Sequence, residues 1–313
     1  MQHLTKIMDK RILHLLFLTV LLQTSIYGQN NQNSGIQIID LSQKQVQLMN
    51  QVQNKPIEER NTVLIDSIYK PNSYLWNGYL GSESDFTNWI NNTAYNELEN
   101  YNLKSEDINL SKLNKYFFET VNEMEKFTGN KPYGKWYIFF GPKWTNLGGF
   151  DDGTMLIDLA HESNKTIEDI KIFFPHEINH QIYSNTTEQN DNAVLYRILD
   201  EGFASYVSYL FHNGKTTIAE ELDYTESEYK SCVENEKELI DLLRKNYKSN
   251  SEKLSDNFAN RGYRFSEKFP GAVGYYVGFR IVDEFVKRNG KDSWKDIYKM
   301  SPEKVLKKSK ILK

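Results

Sequence analysis

Apolar residues recur every three or four positions through most of this chain, and the period shortens only in one central stretch. From Leu110 to Phe127 the side chains of Leu113, Tyr116, Phe117, Val121 and Met124 share one face of a helix. The same period prevails from about residue 38 to 128, where Trp76, Tyr79, Phe86 and Trp89 read as core. Between 131 and 161 the pattern becomes strand-like. Lys135 to Phe140 ends at Gly141-Pro142, and Thr154 to Leu159 follows turn signals at Gly148-Gly149 and Asp152-Gly153. Two antiparallel strands are expected. A helix is then expected from about Thr166 to Tyr183, apolar at Ile167, Ile170, Phe173 and Phe174. Pro175 within it either kinks that helix or opens a new one. A polar loop over 184–192 leads to a second helix from Val194 to Phe211. From about 216 the chain is helical again, with a solvated charged face over Glu234 to Lys245 and a helix through Ile281, Val282 and Phe285 that Gly290 stops. The fold class is therefore α+β and mainly α, with a small antiparallel sheet and a helical C-terminal part.

The first residues follow a different order. Lys6, Lys10 and Arg11 precede the largely apolar run Ile12 to Leu22, and Gln23 to Gly28 follow. This is the three-part order of a signal peptide, with cleavage expected near Gly28 and a flexible polar leader over 29–36. The run is too short to cross a bilayer, which takes about twenty residues. Export to a periplasmic or extracellular space is expected, with a soluble mature chain that has no membrane span. The formal net charge of -4 offers no basic surface for nucleic acid. Cys232 is the single cysteine, so no intramolecular disulfide can form, and it reads as a buried small side chain.

The chemistry concentrates at His176-Glu177-Ile178-Asn179-His180. On a helix, histidines four residues apart face the same way and can share one ion, with Glu177 beside a metal-bound water as general base. A buried hydrogen-bonded histidine pair is the plainer alternative. Zinc with an open position wants three protein ligands. The metzincin pattern fails, because its positions are Tyr183 and Thr186 here. Acidic candidates on or before the next helix are Asp191, Asp200 and Glu201, and helix phase lets only one of the last two face the ion. Ser205 could hydrogen-bond a ligand, whereas His161 and His212 are the remaining histidines of the mature chain.

The segment Asp200-Glu201-Gly202-Phe203-Ala204 resembles the segment that follows HExxH in gluzincin aminopeptidases, and Pro270 to Val282 is similar to a family of predicted zinc-dependent proteases. The resemblance covers about 130 to 313. It implies a zincin-like fold in which His176, His180 and Glu201 hold one Zn²⁺, and an exported zinc peptidase with a peptide or protein substrate. It also implies that Thr154 to Leu159 forms a sheet edge able to pair with extended substrate. Tyr275 and Tyr276 become candidates to stabilise an oxyanion. An aminopeptidase would need an acidic group for the free amine, for which Asp151, Asp152 and Asp158 are candidates. A non-catalytic zinc-binding interaction protein is the further alternative. The expected organisation is a signal peptide over 1–28, the leader over 29–36, a helical region over 37–128, a zinc-binding core over 129–215 and a helical region over 216–313 that completes the site.

Overall fold

The computed structural model describes residues 35–150, 152–186 and 192–313. The expected signal peptide, the leader through residue 34, Asp151 and Asp191 lie outside the described residues. The described chain is mainly helical, with one four-stranded sheet in the order β1-β2-β4-β3. These strands are β1 (Ile36–Asp40), β2 (Gly134–Phe139), β3 (Leu147–Gly149) and β4 (Met155–Asp158).

Three expectations for the sheet are corrected. β2 and β4 are neighbours, but they run parallel, with Trp136 opposite Met155 and Phe139 opposite Asp158. The joining stretch 140–154 has the length a parallel crossover needs, about a dozen residues or more, where a hairpin needs only a few. Second, β4 is not the edge. β3 pairs antiparallel outside it, so Gly148-Gly149 forms strand and not turn. Third, β1 pairs parallel with β2 from Ile36 opposite Gly134, a strand that begins at the last residue of the expected leader and runs into the region expected to be helical. Trp136 to Phe139 and Met155 to Asp158 are buried without alternation, as strands covered on both faces must be.

Helices cover this sheet. Helix α1 (Leu110–Thr128) is capped by Asn109, whose side chain accepts from the Lys112 N–H, and it ends at Gly129 in the left-handed region. Its buried face sets the Phe117 ring edge-on to Trp136 of β2 and to Phe174, at centroid distances of 4.6 and 5.2 Å. Trp76, Tyr79, Phe86 and Trp89 are buried as expected, with Trp76 and Tyr79 edge-on to Phe139.

The helix expected from Thr166 to Tyr183 is two helices. Ile167–Lys171 is opened by a reciprocal capping box between Thr166 and Asp169. Helix α2 (Phe174–Thr186) then starts afresh with Pro175 in its first turn, where the missing N–H costs nothing. Helix α3 (Ala193–His212) packs on α2 and, more extensively, on α4 (Val273–Asn289). None of the helices of the described residues is long and apolar enough to cross a membrane.

Candidate metal centre

α2 and α3 place three potential ligands at one point. Nε2 of His176 and Nε2 of His180 lie 3.0 Å apart, and Oε2 of Glu201 lies 3.5 and 3.3 Å from them. Metal bonds of about 2.0–2.1 Å at tetrahedral angles separate ligand atoms by about 3.3–3.4 Å. The three observed spacings bracket that edge length. Glu201 Oε2 is fully buried and has no donor in hydrogen-bonding geometry. An orphaned carboxylate oxygen facing two imidazoles is costly unless a cation or proton joins them. Two nitrogens and one carboxylate oxygen suit zinc or a similar divalent ion, and three protein ligands leave a coordination position open.

The surroundings orient this set. Nδ1 of His180 lies 2.8 Å from Oδ1 of Asp200, so an Nδ1–H donated there leaves the Nε2 lone pair facing the centre. Neighbours on α3 therefore divide the work: Glu201 turns to the centre and Asp200 holds a ligand. The Arg197 guanidinium Nε lies 3.5 Å from the other oxygen of Glu201. Burial would raise the pKa of Glu201, but His180 and His176 outweigh it and hold the carboxyl well below its usual range. Burial likewise opposes charge on His180, yet Asp200 and Glu201 raise its pKa well above normal. The two carboxylates thus demand positive charge at this point, supplied by a proton on His180 or by a metal that displaces it.

Glu177 is 8% exposed, and burial raises its pKa against the opposing pull of the two histidines. Tyr275 and Tyr276, equal candidates in the sequence, point to different places. The Tyr275 ring lies parallel to His176 at a centroid distance of 6.1 Å, with Arg261 5.8 Å from its centroid. Burial first, and then the Glu201 charge, hold its hydroxyl well above the ordinary tyrosine pKa. The Tyr276 hydroxyl instead donates to Glu236. Ser205 bonds the backbone carbonyl of Glu201 and not a ligand side chain, and His212 pairs with Glu221. Nδ1 of His161 accepts from the Ser163 N–H. Asp158 is consumed inside the fold, accepting from the N–H groups of Gly141, Lys143 and Ala160 and from the Tyr79 hydroxyl. Asp152 accepts from Thr154.

With that geometry in place, one comparison bears on identity. The family model of gliding motility protein GldB matches residues 164–311. The match runs from just before α2 through α3 and α4 and so contains all three candidate ligands, Asp200 and Tyr275. No curated protein and no solved structure matches the chain. The GldB match overturns the zinc-peptidase reading, both as family and as activity: the segment that carries the motif is similar to a gliding motility component and not to a peptidase. The hydrolase class and the aminopeptidase alternative fall with it. HExxH misled because its spacing specifies a metal-binding helix face, and metal binding does not specify chemistry. The GldB family is one of lipoproteins, in keeping with an exported, envelope-associated chain.

Proposed function

We propose that this chain is an envelope-associated component of a gliding-motility apparatus that binds one zinc ion through His176, His180 and Glu201. The observation that carries this reading is the coincidence of two features in one segment. The stretch similar to gliding motility protein GldB holds the complete ligand set and the carboxylate that orients it. The zincin-like placement of a metal helix and a following ligand helix serves here as scaffold. Bridging α2 and α3 at their buried faces, the ion would fix the helix pair on which α4 packs. The signal-peptide order of the first 28 residues supports delivery across the cytoplasmic membrane to the periplasmic or outer side.

Deletion of the gene in its native host, with colony spreading and single-cell gliding as readouts, tests the motility role. Loss of gliding that the wild-type chain restores is expected, and unimpaired gliding in the deletion strain would overturn the role. Elemental analysis of the purified chain tests the metal separately. About one zinc per chain, lost in a His176→Ala, His180→Ala double variant, is expected, and a metal-free wild type would overturn the metal assignment.

A further inference from the structure

Beside α3 and α4, aromatic side chains enclose a half-open cavity of about 420 Å³. Its walls come from five helices, among them the short helix Ile218–Glu221 that carries Ile218. Tyr206 and Tyr209 stand on α3, Tyr276 and Phe279 on α4, and Tyr229 and Val233 on the helix Glu226–Glu234, with Glu236 just beyond it. The volume falls in the range of small-molecule sites, roughly 300–1,000 Å³. A second depression of about 520 Å³ adjoins it, sharing Tyr229 and Val233 and reaching Glu226 and Lys230.

Two features define what could occupy this space. The first is charge. Arg280 enters the lining beside Glu236 and Asp283, but its guanidinium already bonds both carboxylates and Glu284. Lys287 lies 2.8 Å from Asp283 and Arg288 3.2 Å from Glu284. Three acids and three bases cancel, so the rim offers neither a cation nor an anion a net attraction. The second is unspent hydrogen bonding. The hydroxyls of Tyr206, Tyr209 and Tyr229 have no partner among the described residues, although Tyr206 is almost wholly buried. Burial, with Asp283 nearby, pushes the Tyr206 hydroxyl up to about 12, so it stays a neutral donor.

Flat apolar faces, unpaired neutral hydroxyls and a self-neutralised polar rim suit a ligand that is uncharged, has apolar C–H faces and carries many hydroxyls. From these features we infer that the groove is a binding site for a neutral oligosaccharide, with sugar rings lying against Tyr209 and Tyr229 and their hydroxyls bonding the tyrosines and the Arg280 rim. This site is separate from the metal centre and independent of the motility role.

Titration calorimetry on the full mature chain with cellotetraose, maltotetraose and chitotetraose, and with choline and gluconate as charged controls, tests it. Saturable binding of at least one neutral tetrasaccharide is expected. Tyr229→Ala and Tyr209→Ala, both at partly exposed positions, should each weaken it about tenfold or more while the melting temperature and zinc content stay unchanged. Failure of all three sugars to bind, binding of choline or gluconate in their place, or full-strength sugar binding by both variants would overturn the proposal.

Discussion

Gly202 of α3 and Gly278 of α4 meet backbone to backbone. A methyl group on Gly202 would lie 2.1 Å from the carbonyl carbon of Gly278, and one on Gly278 would lie 1.9 Å from the carbonyl oxygen of Ile198. No side-chain movement relieves such contacts, so any larger residue must push the helices apart. Gly278→Ala should therefore lower stability by about 3 kcal/mol, the upper end of the usual cost of overpacking, despite alanine's better helix propensity. Because Glu201 adjoins Gly202, Gly202→Ala should also weaken zinc binding. Thermal melts and zinc titrations read both effects, and unchanged values in either variant would contradict the close crossing.

Asp200 accepts from His180 without facing the metal point itself. Asp200→Asn keeps the shape and removes the charge that fixes the imidazole tautomer. Loss of such a partner typically costs about 10–100-fold in metal affinity. Competition with a chromophoric chelator should show that loss with little change in the melting temperature of the apo protein. An affinity equal to wild type would mean the Asp200–His180 bond does not orient the ligand.

Much of this site was legible in the sequence because helix geometry is local. Four-residue spacing puts His176 and His180 on one face, and an acidic pair near residue 200 falls on the next helix. Helix phase alone left Asp200 and Glu201 open and the resemblance pointed to Glu201, since adjacent helical positions differ by about 100° and the packing of α3 on α2 decides which one faces the centre. The same limit applies to Tyr275 and Tyr276. In the sheet, strand existence was readable from the period of two, but direction depends on the path of the chain from 140 to 154. β1 escaped notice because Ile36–Asp40 is short and the leader before it is polar. The peptidase reading failed at another level: a motif carries coordination geometry, and the biological use of that geometry lies outside it.

Gln181 ties α2 to the sheet. Its side-chain carbonyl accepts from the Trp136 indole at 2.8 Å, and its amide donates to the Gly153 carbonyl at 2.8 Å, all in the buried interior. Gln181→Leu fills nearly the same volume but leaves an indole N–H and a backbone carbonyl unpaired. At about 1–3 kcal/mol for each of the two unsatisfied groups, a loss of roughly 2–6 kcal/mol is expected in urea unfolding. A variant as stable as wild type would show that solvent or another group takes over both bonds.

Glu221 lends the protein a pH dependence away from the metal centre. Burial alone would raise its pKa, but hydrogen bonds from His212, Ser208 and Thr216 together lower it. A depressed carboxyl stabilises the fold above its unfolded pKa of roughly 4.3, and the contribution fades as pH falls toward the lower folded value. Glu221→Gln should thus cost about 1–3 kcal/mol at pH 7 and progressively less below about pH 4. Melting curves of both proteins from pH 7 to 3 check this. A stability gap that stays constant across that range would exclude the ionised Glu221 as its source.

Metal removal offers the most direct reading of the centre. Without an ion, Glu201 Oε2 keeps its buried, unpaired position between two imidazoles, and the carboxylates draw His180 toward protonation. An ion that binds only the folded chain stabilises it by about 2.7 kcal/mol at a free concentration one hundred times its dissociation constant. The melting temperature should therefore rise on adding zinc to chelator-treated protein. His176→Ala should abolish that rise, and Asp200→Asn should shift it to higher zinc concentrations. Because binding displaces the proton that Asp200 and Glu201 favour on His180, the zinc required should increase as pH falls, beginning above the ordinary histidine range. A melting temperature indifferent to zinc in the wild-type chain would leave the three side chains as a hydrogen-bonded cluster with a proton in place of the metal.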